Sequence, residues 1–146
     1  IFDKIMEVNV KAPWSLSNLV LPHLKAHKKG SIINIASVEA LTPGFGLGIY
    51  STSKAAILML SKNQAKEWGK HGVRVNAICP GLIKTKFSAA LWQNEKILGK
   101  IQKTLPSERM GMPEEMVGLA CLLASDAGSY MTGGVYTADG GYMIAG

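Results

Sequence analysis

Cysteine is almost missing from this chain. There are two in 146 residues, Cys79 and Cys121. They give no disulfide framework and no metal-ligand spacing. The expectation is two reduced, mostly buried thiols, no metal site, and a reducing, cytoplasmic setting. Long apolar runs are missing too. The best candidate, Val117 to Ala124, falls far short of the ~20 residues that cross a bilayer. No stretch reads as a signal peptide, so no membrane partner is expected. Acidic residues are outnumbered, 10 against 16 Lys and Arg, for a net charge of +6. That surplus would suit an anionic ligand. Only His23, Lys25, His27, Lys28 and Lys29 cluster, however, at the predicted end of a helix just before Gly30. Cations there complement the helix dipole and a glycine suits the cap. No nucleic-acid motif accompanies them, so no nucleic-acid partner is expected. Also absent is a dinucleotide fingerprint. The GFGLG stretch at 44–48 has the wrong glycine spacing and lies well after its strand. Those glycines read as conformational. Position 1 is Ile, not Met, and the chain opens inside an apolar helical pattern. We expect a piece of a longer protein.

What is present is a globular balance, 47% apolar and 18% charged. Residues 2–29 carry apolar side chains at near-helical spacing and predict one helix, kinked or restarted at Pro13 and Pro22 and stopped by Gly30. Residues 31–36 (SIINIA) predict a strand buried on both faces. Residues 37–49 predict a loop, and 51–70 a second helix ended by Gly72. Residues 73–79 (VRVNAIC) predict a strand broken by Pro80-Gly81. Residues 82–110 read as a long mixed segment, helical around 86–102. A helix opens at Pro113-Glu114-Glu115 and runs to about Ala124. Val135 to Ala138 predicts a third strand. Strands alternating with helices imply an α/β fold, a three-layer doubly wound parallel sheet, in a single domain over 1–146.

Ligands of such sheets gather beyond the C-terminal strand ends. Ser37, Pro80 and Gly81 fall there, and Tyr50 opens the helix after the first strand. Tyr50 and Lys54 are four residues apart, so a helix puts them on one face. A cation near a phenol favours the phenolate and lowers its pKa. The pair is a candidate acid/base working near neutral pH. Ser37 is a hydroxyl that could hold a carbonyl oxygen beside the phenol. Asn9 is a poor interior helix residue in an apolar stretch, which leaves a polar role open.

In order along the chain stand Asn9 within VNV, Ser37 ending IINIAS, Tyr50-Ser51-Thr52-Ser53-Lys54, VRVNAICPG at 73–81, Ile83 and Thr85, RMGMPEE at 109–115, and MTGG with DGG at 131–141. Ser37 precedes Tyr50 by thirteen residues. The ordered set resembles the C-terminal catalytic half of a short-chain dehydrogenase/reductase, a Rossmann-like fold. The resemblance implies Tyr50 as general acid/base. Lys54 would lower the tyrosine pKa and hold the nicotinamide ribose, Ser37 would polarise the substrate carbonyl, and Asn9 would position a water in a relay through Lys54. Pro80, Gly81, Ile83 and Thr85 would line the nicotinamide side, with Tyr50 and Lys54. Residues 84–110 match a substrate lid, on which Phe87, Leu91 and Trp92 suggest an apolar substrate face.

The implied cofactor is NAD or NADP, and the implied reaction interconverts a ketone and a secondary alcohol. The substrate could be a 3-oxoacyl thioester, a sugar, a steroid or a small ketone. A homo-oligomer, dimer or tetramer, is the implied assembly. The family's phosphate loop belongs to an N-terminal half that these residues do not contain, so they would supply the last three strands. A non-catalytic fragment that keeps the oligomerisation surfaces is the alternative, and a pseudoenzyme that only binds is the third reading.

Overall fold

The computed structural model describes residues 1–145. The first helical region is three pieces: α1 (Phe2–Met6), a π-helical segment (Glu7–Lys11) and α2 (Ala12–His27). Strand β1 (Gly30–Ile35) leads through a 3-10 turn (Val38–Ala40) and the glycine loop into α3 (Gly48–Trp68). Strand β2 (Val73–Pro80) follows, then the short helices α4 (Ala89–Trp92) and α5 (Glu95–Thr104). A 3-10 turn (Pro113–Met116) opens α6 (Val117–Ala124), and β3 (Val135–Ala138) completes the sheet. The three strands are parallel in the order β1-β2-β3, with Ile32 opposite Val75 and Ala77 opposite Val135.

The period of two along β2 sorts its side chains between the layers. Val73, Val75, Ala77 and Cys79 are fully buried against α2 and α3, among Ile57, Leu58, Ala65 and Trp68. Arg74 and Asn76 point to the opposite layer. There Arg74 donates to the carbonyls of Leu123 at 2.8 Å and Ser125 at 3.1 Å, holding the C-terminus of α6. Asn76, with no exposure, donates to the Met131 carbonyl and accepts from the Gly134 N–H. Those two bonds fix the chain as it enters β3. All three strand ends therefore point the same way, and the loops that follow them share one edge.

Several boundaries differ from expectation for physical reasons. The long first helix does not simply kink at its prolines. Pro13 sits in the first turn of α2, where its missing N–H costs nothing, and Pro22 lies within α2. The irregularity comes earlier, at the π segment around Asn9. The helix is stopped not by Gly30 but by Lys28, left-handed at φ 49°, and Gly30 is already strand. Helix α3 starts at Gly48, two residues before Tyr50. β1 is not buried on both faces. Ile35 is 54% exposed, because β1 pairs with a neighbour on one side only. Cys79 is buried as expected, whereas Cys121 is exposed. It lies one turn from exposed Val117 on the outward face of α6.

Candidate functional site

Ser37 follows β1 in extended backbone, φ −169°, and caps the 3-10 turn. Its Oγ accepts from the Glu39 N–H at 3.2 Å. One of its two lone pairs is thus engaged, and its own proton stays available to donate. Tyr50 stands on the first turn of α3 and Lys54 one turn further on. The Lys54 ammonium donates to the Ile35 carbonyl at 2.9 Å, at the end of β1. It lies 5.8 Å from the centre of the Tyr50 ring, within the range where a cation feels the ring and its hydroxyl. Burial holds the Lys54 amine below its ordinary value, opposed by the neighbouring Cys79. Burial likewise pushes the Cys79 thiol up, opposed by a backbone bond to Ser37 and by Lys54. Cys79 thus stays a protonated core residue behind the ammonium.

Asn9 reaches this centre through a residue the sequence reading passed over. Its amide donates to Ser53 Oγ at 3.0 Å, and Ser53 Oγ donates to the Tyr50 carbonyl at 2.7 Å. Ser53 is fully buried. The π segment provides the widened turn from which Asn9 reaches α3, a common use of π geometry at functional sites. A hydroxyl inside the Tyr50–Lys54 turn was a visible signal, but its partner 44 residues away was not.

The residues expected on the nicotinamide side gather after β2. Pro80 closes the strand, and the Gly81 N–H donates to Ala138 at 3.0 Å. A Cβ at Gly81 would collide with the Asp139 backbone at 2.6 Å, so only glycine lets β2 and β3 end this close together. Ile83 bridges to Gly111, which pins the two ends of the intervening segment against each other. Thr85 Oγ1 lies 3.3 Å from Ser88 Oγ and closes its own turn. Phe87 meets Tyr50 with ring centres 6.3 Å apart. Trp92 turns the other way: its indole donates to the Thr85 carbonyl at 2.9 Å, and Lys84 sits over its ring. Leu91 is half-buried on the same short helix. The structure thus brings Ser37, Tyr50, Lys54, Asn9 and Phe87 together, while Trp92 braces the lid internally. A cavity of about 230 Å³ opens beside Ile83, Arg109, Ala138 and Asp139, and the Ser37–Tyr50–Lys54 trio does not line it.

The residues present fit the nicotinamide-ribose half of a dinucleotide. The half-buried Lys54 ammonium has two protons beyond the one given to Ile35, enough to hold two ribose hydroxyls. Among the described residues no group of His, Cys, Asp or Glu is placed to hold a metal. Two further polar residues were missed. Glu39 accepts from Ser51 Oγ at 3.5 Å and from the Tyr142 hydroxyl at 3.4 Å. A carboxylate two residues after Ser37, at the ligand end of the sheet, was the clue. Tyr142 lies 103 residues away and could not be paired with it from sequence.

Known proteins carry the same arrangement across the whole chain. A family model described as enoyl-(acyl carrier protein) reductase matches residues 1–143. The rabbit (Oryctolagus cuniculus) dehydrogenase/reductase SDR family member 4 is 40% identical over 141 residues, 97% of this chain and 54% of the relative. A gluconate 5-dehydrogenase from Burkholderia cenocepacia, in complex with NADP and tartrate, superposes with a TM-score of 0.96 at 30% identity over 99% of this chain and 57% of its own. A 4-hydroxyisoleucine dehydrogenase complexed with NADH superposes at 0.95 with 34% identity, over 99% and 60%. The chain spans about half the length of the curated relatives it matches. Its fold, its site geometry and these matches together make it a member of the short-chain dehydrogenase/reductase family, over the C-terminal portion of that fold.

Proposed function

We propose that the protein to which these residues belong is an NAD- or NADP-dependent oxidoreductase that interconverts a ketone and a secondary alcohol. The observation that carries this reading is the seat of Lys54, one turn along α3 from Tyr50 and anchored to the Ile35 carbonyl. A fixed cation there stabilises the negative charge left on the Tyr50 oxygen as its proton is passed to a substrate. A bound nicotinamide supplies hydride transfer to or from the substrate carbon. Relatives crystallised with NADP and with NADH support that cofactor class. In the reducing direction Tyr50 delivers its proton to the substrate oxygen. Ser37 donates its hydroxyl proton, which no group among the described residues accepts, to the same oxygen. Lys54 keeps the charge on the tyrosine side balanced and reaches toward the ribose. Asn9 acts by way of Ser53 on the position of Tyr50, and its relay role through Lys54 belongs to the same proposal. Thr85 and Ile83 hold the nicotinamide side and Phe87 offers an apolar wall, with Leu91 behind it. The assembly is a homo-oligomer built through the exposed apolar face of α2.

The test is Tyr50→Phe in the full-length protein. Turnover of a ketone is expected to fall by at least about 100-fold. NADH or NADPH affinity, followed by the fluorescence of the reduced cofactor, is expected to stay within about twofold. Retention of most of the turnover overturns the assignment of Tyr50.

A further inference from the structure

Glu39 is a charged group without a counter-ion at the heart of this site. The ion pairs among the described residues are Lys4–Glu7, Lys29–Asp126 and Arg109–Glu115, and none includes Glu39. Its backbone N–H holds Ser37 Oγ. Its carboxylate reaches across the loop to two neutral donors, Ser51, the residue after Tyr50, and Tyr142, on the turn after β3. Both bonds are long, near the limit at which a hydrogen bond counts. The carboxylate is therefore held in place without being saturated, and it keeps acceptor capacity. The glycine loop takes part: a Cβ at Gly44 would run into the Glu39 carboxylate. That gives Gly44 a steric role which the failed nucleotide fingerprint did not. Tyr142 registers the charge, since burial and then Glu39 push its phenol above the ordinary value. None of the nearby cations pairs with Glu39: Lys54 donates to Ile35 and keeps two protons toward Tyr50, Lys84 lies 5.0 Å from the Trp92 ring centre, and Lys86 is exposed.

We propose that Glu39 is a specificity-determining residue of this site: its unpaired carboxylate, placed between Ser51 and Tyr142 beside Ser37 and Tyr50, turns away carboxylate-bearing carbonyl compounds and admits uncharged ones that can donate a hydrogen bond to it. The inference rests on the carbonyl site proposed above and adds the charge class of its substrate. A hydroxyl next to the reacting carbonyl can satisfy the free acceptor sites of Glu39. A carboxylate in the same place meets like charge at a partly desolvated position, which disfavours it. The substrate is thus an uncharged hydroxyketone or the corresponding diol, with its apolar part toward Phe87.

Hydroxyacetone and pyruvate test it, because they share one carbon skeleton and differ in hydroxyl against carboxylate. Dissociation constants for the full-length protein, measured by ligand-observed NMR with reduced cofactor present, need no turnover. Wild type is expected to bind hydroxyacetone at least about tenfold more tightly than pyruvate, and the gap is expected to narrow as salt is raised. Glu39→Gln keeps the shape, and is expected to remove most of that gap. Tyr142→Phe leaves the charge in place, and is expected to preserve the gap within about twofold. A gap unchanged in Glu39→Gln, or no binding of hydroxyacetone by wild type, overturns the proposal. Turnover is read separately. If the binding gap behaves as expected but hydroxyacetone is not reduced, the hydride-transfer reading fails and the charge selection stands.

Discussion

Ser53 carries no reacting atom, yet it ties the only distant helix residue of the site to the tyrosine. Its hydroxyl, fully buried, accepts from half-buried Asn9 and donates to the Tyr50 carbonyl. Ser53→Ala leaves the Asn9 amide without its partner, and a buried unpaired amide costs on the order of 1–3 kcal/mol. The expected result is a loss of about 1–2 kcal/mol in a urea titration. In the full-length protein a fall of about tenfold in kcat with KM nearly unchanged is also expected, since positioning and not binding is lost. Cofactor affinity in the same variant is the control and is expected to hold. At this scale the placement of three candidate residues was legible: Tyr50 and Lys54 share a helix face by arithmetic alone, and Ser37 stands at a strand end. Ser53 and Glu39 were not, because each earns its place by a contact across more than 40 residues of chain, to Asn9 and to Tyr142 respectively.

Elements were legible where one local signal dominates and illegible where packing decides. Val135 to Ala138 emerges as the strand expected, and Pro113 opens a helical turn as expected, though that first turn is 3-10. The π segment left no trace in the apolar periodicity, since one extra residue in a turn barely shifts it. The stop of α2 was misplaced because Gly30 is the obvious terminator, whereas the backbone turns left-handed two residues earlier, at Lys28. A lysine in that region pays a steric cost that glycine does not. Lys28→Gly is therefore expected to stabilise the fold by about 1 kcal/mol in the same titration. The lid's far end shows an electrostatic element. Glu115 makes two bonds to Arg109, at 2.7 and 2.8 Å, and also accepts from the Met112 N–H, closing the turn that starts α6. The Arg109 bonds, then Met112, hold its carboxyl down at about 2, against an ordinary value of 4.5. A folded value below the unfolded one stabilises above pH 4.5, and that stabilisation is lost as pH falls from 4.5 toward 2. Urea midpoints at pH 7, 4 and 2.5 are expected to drop less steeply for Glu115→Gln than for wild type. High salt is expected to shrink the difference, because the pair is exposed.

At the scale of the molecule, these residues form a core with uncovered flanks. β1 and β3 are the two edges of a three-stranded sheet, and Ile35 lies exposed at the end of the first. Along α1, the π segment and α2 the side chains of Phe2, Val8, Trp14, Leu16 and Leu19 are all more than half exposed, and a groove of about 610 Å³ runs beside Met6, Val10 and Trp14 toward Leu60 on α3. Scattered apolar residues are ordinary on a surface, but an apolar helix face beside an open strand edge is not. Pairing two such faces removes their apolar area from water, which favours association. The 146-residue chain on its own is therefore expected to self-associate, with a sedimentation coefficient that rises with concentration. Leu16→Lys together with Leu19→Lys removes apolar area and adds like charge without deleting a core contact, as both side chains face water. This variant is expected to keep its far-ultraviolet dichroism and to lose at least half of the associated mass. An unchanged mass distribution would instead assign the association to the β1 edge, which Ile35→Lys then tests by charging the strand that would pair.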